Sequence, residues 1–209
     1  MNLEFYNLDL LEKELEKLPL LHRIAFAASI CERMLPIYNV FSQQEGWGDP
    51  TSLRIALDEV WEVLQAKPVD EAKIRQLIDD CENAAPHSDY VMQSRYDFEA
   101  QLTCSAIRST LEACIDCNSQ HFIDVMEFVR DIINGFLTSR KDDADPNWYK
   151  KSLQEQEEYV SSHALAKQEI AKEQEDLQRL REVETLDREF LESLRTSFNN
   201  SGRSLIDLS

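Results

Sequence analysis

The chain has 209 residues, 43% of them hydrophobic, which suits one packed domain or one domain with a helical extension. Its formal net charge of −18 argues against unaided binding to DNA or RNA, where affinity comes largely from Lys and Arg neutralising phosphates, and equally against anionic membrane surfaces. Only 4 Gly and 6 Pro, set among abundant Leu, Glu, Ala, Gln and Lys, argue against an all-β chain rich in tight turns and for an all-α one.

Asp9 is placed to cap a short first helix from Leu10 to about Leu18, stopped by Pro19. From Leu20 the chain is apolar on nearly every side (Leu21, Ile24, Phe26, Ala27, Ile30, Cys31, Met34, Leu35), the pattern of a central helix. Pro36 is expected to kink or divide it, and Gly46 suits a left-handed cap at its end. Asp49-Pro50 reads as N-cap and first turn of a third helix, whose face is Leu53, Leu57, Val60, Trp61 and Leu64. After Pro68, Asp70 starts a fourth helix to about Cys81, and residues 83–92 read as a loop.

A fifth helix is expected from about Arg95 to Cys117. A sixth carries the clean stripe Phe122, Val125, Met126, Val129, Ile132, Ile133, Phe136 and Leu137. The short turn at Asn118-Ser119 makes these two helices antiparallel neighbours. Residues 142–146 form a polar break. They separate a helical bundle core, residues 1–141, from a charged C-terminal helix and tail, residues 146–209. Residues 147–198 contain no Gly or Pro, and Leu180, Val183, Leu186, Phe190, Leu194 and Phe198 share one face, so this part is expected to dock on the bundle or to mediate dimerisation. Residues 154–176 are far more polar and suggest a solvated helix or a partner-seeking arm. The acidity belongs to the main body: residues 1–145 carry 27 acidic and 13 basic side chains, the remainder 13 and 9.

Ionisable residues within apolar helical stretches must be paired or functional, because an isolated buried charge costs several kcal/mol. Glu32, Arg33, Asp58 and Glu62 are the first such group. Asp58 and Glu62 stand four apart on one helix, where like charges repel unless Arg33, a metal or a proton intervenes. Asp58-Glu59-x-x-Glu62 and, sixteen residues later, Asp79-Asp80-x-Glu82 approximate the paired acidic motifs that hold Mg²⁺ against a triphosphate in all-helical pyrophosphohydrolases. The first Glu of that pattern is Asp here and the second motif is altered. None of His22, His87, His121 or His163 follows a Glu by three residues, so a ferritin-like di-metal site is not expected. Cys114-x-x-Cys117 sits in a helical pattern without a second such pair or a nearby strand, and reads as helix-packed thiols. Trp47 and Asp49, in the Gly46-Trp47-Gly48-Asp49 turn, are either a packed corner or an anchor for a partner.

Residues 22–64 carry a resemblance. His22-Arg23-Ile24-Ala25-Phe26, Cys31-Glu32-Arg33-Met34-x-Pro36-x-Tyr38, Phe41-x-Gln43-Gln44, Gly46-x-Gly48-Asp49 and Leu57-Asp58-x-x-Trp61-Glu62 resemble the YjaG-like bacterial family, the domain of unknown function numbered 416. The tail Gly202-Arg203-Ser204-Leu205-Ile206 loosely echoes that family's C-terminal end. The resemblance implies an all-helical cytoplasmic bacterial protein and transfers no catalytic residue. The N-terminus lacks a basic stretch followed by an apolar one, and the longest uncharged run, Met34 to Gln44, is short for a bilayer, so a cytoplasmic location is expected.

These readings converge on an all-α bundle with a long C-terminal helical segment and no sheet. It is expected to act as a non-enzymatic interaction or adaptor module, of an acidic immunity type in one version, with a protein partner or a second copy through the C-terminal helix. No cofactor is expected. The alternative is a Mg²⁺-dependent pyrophosphohydrolase using Asp58, Glu59, Glu62, Asp79 and Glu82.

Overall fold

A computed structural model of the chain describes residues 3–86 and 96–197, and every regular element among them is helical. In order these are α1 (Asp9–Leu15), α2 (Leu20–Glu45), α3 (Pro50–Leu64), α4 (Glu71–Ala84), α5 (Asp97–Ile115), α6 (Gln120–Ala144), a 3-10 turn (Trp148–Lys150), α7 (Leu153–Ser162), α8 (Ala164–Glu182) and α9 (Arg188–Thr196). The expected all-α bundle is the fold. Helix α2 is its axis, packed by α3, α5, α6, α8 and α9. By length and hydropathy α2 is able to cross a membrane, which the uncharged run alone did not suggest, but 78% of that window is buried by the surrounding helices.

Helix α2 runs through Pro36 undivided. Proline has no N–H to give the carbonyl of Glu32, yet Met34, Ile37, Tyr38 and Phe41 around it are fully buried, and their packing holds the helix together across the gap. Asp9 is the first residue of α1 rather than its cap. The Asn7 side chain receives the Asp9 N–H at 3.1 Å instead. Asp49 and Asp70 do cap α3 and α4, and α4 continues to Ala84, into the expected loop. The rest of that loop, the start of the fifth helix at Arg95, His87, Phe198 and the 202–206 tail lie outside the described residues.

The C-terminal segment is broken twice without Gly or Pro. At the first break the Ser161 and Ser162 hydroxyls bond back to the Glu158 and Tyr159 carbonyls, and His163 Nδ1 accepts the Leu165 N–H as the cap of α8. At the second, the Asp187 side chain accepts the Phe190 N–H at 2.7 Å and opens α9. Helix α8 is neither solvated nor an arm: Glu169, Lys172, Glu173 and Asp176 are buried on its inner face.

The α2–α3 corner is set by one phenol. Tyr38 Oη donates to the Ala84 carbonyl at 2.6 Å and accepts the Asp49 N–H at 3.1 Å, tying α2, α3 and α4 together. Gly46 has φ +62° with open space where a Cβ would stand, whereas Gly48 has φ +89° and a Cβ there would overlap the Tyr38 hydroxyl. Gly46→Ala is therefore expected to cost about 1–2 kcal/mol for its left-handed backbone, and Gly48→Ala distinctly more. Urea denaturation of the two variants beside the wild type reads the difference, and equal losses would remove the Tyr38 contact from the account.

The α7 capping box gives a pH prediction. Glu155 accepts the Ser152 N–H and hydroxyl and faces Lys151, and these contacts pull its pKa down to about 2. A depressed folded-state value means the cap is complete above the ordinary carboxylate range and is lost as pH falls through it towards about 2. Hydrogen-exchange protection at the start of α7, taken relative to the intrinsic rate at each pH, is expected to fall across that window in the wild type and to show no such step in Glu155→Gln.

Candidate functional site

Arg33 turns away from the acids expected to surround it. From α2 it reaches α8, with Nε to Glu169 at 3.1 Å, Nη2 to Glu169 at 2.5 Å and Nη1 to Asp176 at 3.2 Å, while Nη1 also donates to the Ser29 carbonyl. Lys172 closes on Asp176 at 2.5 Å and on Glu175 at 3.1 Å. One helix over, Arg130 of α6 grips both oxygens of Glu173 at 2.8 and 2.7 Å and donates Nε to the Phe5 carbonyl at 2.8 Å. Three cations thus face three carboxylates in the interior.

Burial alone would lower the Arg33 pKa, but the charge and hydrogen bonds of Glu169, with Asp176 and Glu173 behind it, more than reverse this and hold the guanidinium charged. Burial raises the Glu173 pKa even against the pull of Arg130. Such a layer gains little net stability over apolar packing but penalises any register that leaves one member unmatched. The sequence reading singled out only Arg33 of this group. A signal was present: Glu169, Lys172, Glu173 and Asp176 follow the i, i+3, i+4, i+7 spacing of a core-facing stripe, written in charges instead of hydrocarbons.

Glu32 and Asp58 do come together, bridged by other arginines. Glu32 accepts Arg54 at 2.7 and 2.8 Å, Trp61 Nε1 at 2.8 Å and Arg195 Nε at 3.0 Å, while Asp58 accepts Arg54 at 2.8 Å and Arg195. Arg195 also lies over the Trp61 ring, 5.9 Å from its centre, so this bridge pins α9 to α2 and α3. Arg54 stands four before Asp58 and was legible as its partner; Arg195 is 137 residues away from Asp58 and was not.

The remaining acidic candidates are engaged by lysines and an arginine or stand exposed. Glu59 is buried between Lys67, at 2.9 Å, and Lys73. Burial would raise its pKa, but hydrogen bonds from the two lysines lower it. Glu62 is exposed and pairs with Lys67, Glu82 is exposed and pairs with Arg108 at 3.0 Å, and Asp79 is exposed on α4. Among the described residues no group of three or more His, Cys, Asp or Glu is arranged to hold a metal ion. Asp58 is held by Arg54 and Arg195, while Glu59 and Glu62 are bridged by Lys67, so an Arg or Lys stands where a shared Mg²⁺ would have to sit.

Trp47 is half-buried and meets Phe41 edge-on, ring centres 5.9 Å apart. The Asp49 carboxylate is spent on the cap, accepting the Ser52 hydroxyl at 2.7 Å and the N–H groups of Thr51 and Ser52. All five cysteines are free, and burial pushes Cys31, Cys81 and Cys114 up to about 12. A cavity of about 740 Å³ opens between residues 3–7 on one side and α7 with α8 on the other.

A family model described as "Protein of unknown function (DUF416)" matches residues 10–209. The chain belongs to the DUF416 family. It is 27% identical over 196 residues to the uncharacterized protein YjaG of Escherichia coli strain K12, covering 93% of each chain. It is 36% identical over 77 residues to YjaG of Salmonella typhimurium strain LT2, covering 36% of this chain and 38% of that one. Its fold matches that of a crystal structure of a DUF416 family protein from Shewanella baltica OS155, with a TM-score of 0.83, 22% identity, and 95% and 97% of the two chains covered. At that identity the likeness speaks for the DUF416 fold alone.

The charge layer of this DUF416 chain predicts a non-additive mutant pair. Glu173→Ala leaves Arg130 buried and unmatched and is expected to cost about 3–5 kcal/mol. Adding Arg130→Met should recover part of that loss, which a double-mutant cycle by chemical denaturation measures. Additive losses would mean that the two groups do not act as a pair.

Proposed function

We propose that this chain is a non-catalytic binding module of the bacterial cytoplasm whose acidic surface receives a basic protein partner. The observation that carries this reading is where the charge sits. The buried layer balances Arg33, Arg130 and Lys172 against Glu169, Glu173 and Asp176, and only Glu59 and Glu99 are buried acids besides among the described residues, so most of the net charge of −18 lies on the outside. A surface of one dominant sign steers an oppositely charged partner and raises its association rate. Five free cysteines suit a reducing compartment, and the relatives are bacterial proteins. Self-association through the last helix is less favoured, because Leu191 and Leu194 of α9 are already buried in this chain.

The pyrophosphohydrolase alternative requires Asp58, Glu59 and Glu62 to converge on one cation, and their engagement with Arg54, Arg195, Lys67 and Lys73 weighs against it. Two measurements divide the readings. A thermal-shift screen with Mg²⁺, Mn²⁺ and nucleoside triphosphates, alone and combined, is expected to show no shift that needs metal and nucleotide together. Small soluble proteins of high and of low isoelectric point, titrated against the chain, are expected to bind only when basic. That binding should weaken as ionic strength rises from about 0.01 M to about 0.15 M, where the Debye length shrinks from about 30 to about 8 Å. A metal-plus-nucleotide shift abolished by Glu62→Gln would install the enzyme reading. Indifference to the partner's charge would remove the acidic-surface reading.

A further inference from the structure

We infer that the groove between residues 3–7 and the α7–α8 corner is the docking site of an extended peptide segment that alternates cationic and apolar side chains. This rests on the binding-module reading and names the surface that serves it.

The groove has a volume of about 740 Å³. Its lining divides by exposure. Leu3, Phe5 and Ala166 are buried and Ile170 half-buried, giving an apolar floor, while Glu4 and Glu158 are exposed and Glu157 half-exposed at the rim. The rim charges belong, with others such as Glu12, Glu45 and Glu192, to the acids that are in no ion pair among the described residues, and differ from those that a cation holds. Glu14, Glu32, Asp58, Glu59, Glu62, Glu82 and Glu173 each have an Arg or Lys partner. Glu4, Glu157 and Glu158 line the groove and are in no ion pair among the described residues. One cation, Lys167, stands among these three, which leaves the groove acidic.

The wall supplied by residues 3–7 is suited to receive a strand. It is not helical, and Leu3, Glu4 and Tyr6 make no main-chain hydrogen bond among the described residues. Free N–H and C=O groups along such an edge are what an extended peptide pairs with, while flanking pockets select its side chains. The wall is also held in place. Arg130 donates to the Phe5 carbonyl and lies 5.8 Å from the Phe5 ring centre, and the Tyr6 hydroxyl donates to Asn134 at 2.8 Å. A groove fixed before binding loses less ordering entropy when it is filled. Alternation in the occupant follows from extended geometry, which sends successive side chains to opposite sides: one set to the floor and the other to the carboxylates.

The probe is a short fluorescent peptide alternating arginine and leucine, read by anisotropy against the full chain. Glu157→Lys with Glu158→Lys is expected to weaken binding at least about tenfold, the change that corresponds to about 1.4 kcal/mol. Glu184→Lys with Glu189→Lys makes the same change in net charge away from the groove and is expected to leave binding within about twofold, a difference below about 0.5 kcal/mol. Ala171→Trp, which fills the groove without altering charge, should block binding too, and a peptide alternating arginine and serine should bind more weakly for want of floor contacts. Circular dichroism of each variant separates lost binding from lost fold. If the two charge-reversed pairs weaken binding equally, the groove is overturned while the acidic-surface reading survives. If no basic protein binds the wild type, that reading fails. If sedimentation shows a dimer dissociated by Ala171→Trp, a second copy occupies the groove and the proposal is overturned.

Discussion

Two arginines on the central helices, Arg33 and Arg130, need anions that the bundle of α1 to α6 does not bring to them, and much of the molecule's arrangement follows from that need. Both are buried, and an unmatched buried guanidinium costs far more than a misplaced leucine. Helix α8 supplies Glu169, Asp176 and Glu173 at the required spacing and brings Lys172 to even the balance. Apolar packing tolerates small slips along a helix, whereas paired charges do not. The layer therefore fixes where α8 lies, and through it where α7 and α9 begin. The same arginine that holds Glu173 holds the Phe5 carbonyl, so the N-terminal segment inherits its position from α8 as well.

How legible this was depended on whether a signal was local. The capping of α3 by Asp49, with Pro50 in its first turn, was readable because the Ser52 and Thr51 N–H groups are three or fewer residues away. The apolar stripe of α6 was readable because tertiary burial and helical period agree there. Of the kink or division expected at Pro36, the division does not occur, because the rule that proline divides a helix is local and the packing that overrides it around Ile37 and Tyr38 is not. Helix α8 misled for the opposite reason. Its periodicity was intact, but polar composition was taken to mean solvent, and the partners that make its charges tolerable inside lie on helices roughly forty to more than a hundred residues away.

The candidate acids show the same limit. Glu32 and Asp58 share Arg54 and Arg195, whereas the sequence offers Arg33, a metal or a proton as what relieves the Asp58–Glu62 pair. Adjacent residues on a helix point about 100° apart, so Glu32 faces α3 and α9 while Arg33 faces α8. A near-match to a metal motif in a chain with 40 acidic residues has little weight until the carboxylates are seen to lack cationic partners, and Asp58, Glu59, Glu62 and Glu82 each have one.

The block that makes the chain resemble its family is, in the fold, a set of long-range ties. His22 Nε2 donates to the Val183 carbonyl between α8 and α9, Glu32 accepts from Arg195, Arg33 donates to Glu169 and Asp176, and Tyr38 joins Asp49 to Ala84. Each fixes α2 to an element distant in sequence, and three of the four fix the C-terminal helices. The residues that identify the fold are thus those that build the groove's outer wall by placing α8, without lining the groove themselves. Under the docking proposal, partner choice would rest with the rim, where Glu4, Glu157 and Glu158 present charge without touching the layer beneath. A surface charge alters stability little, so the rim can change without loosening the ties beneath it, which hold α8 in place by charges drawn from α2 and α6.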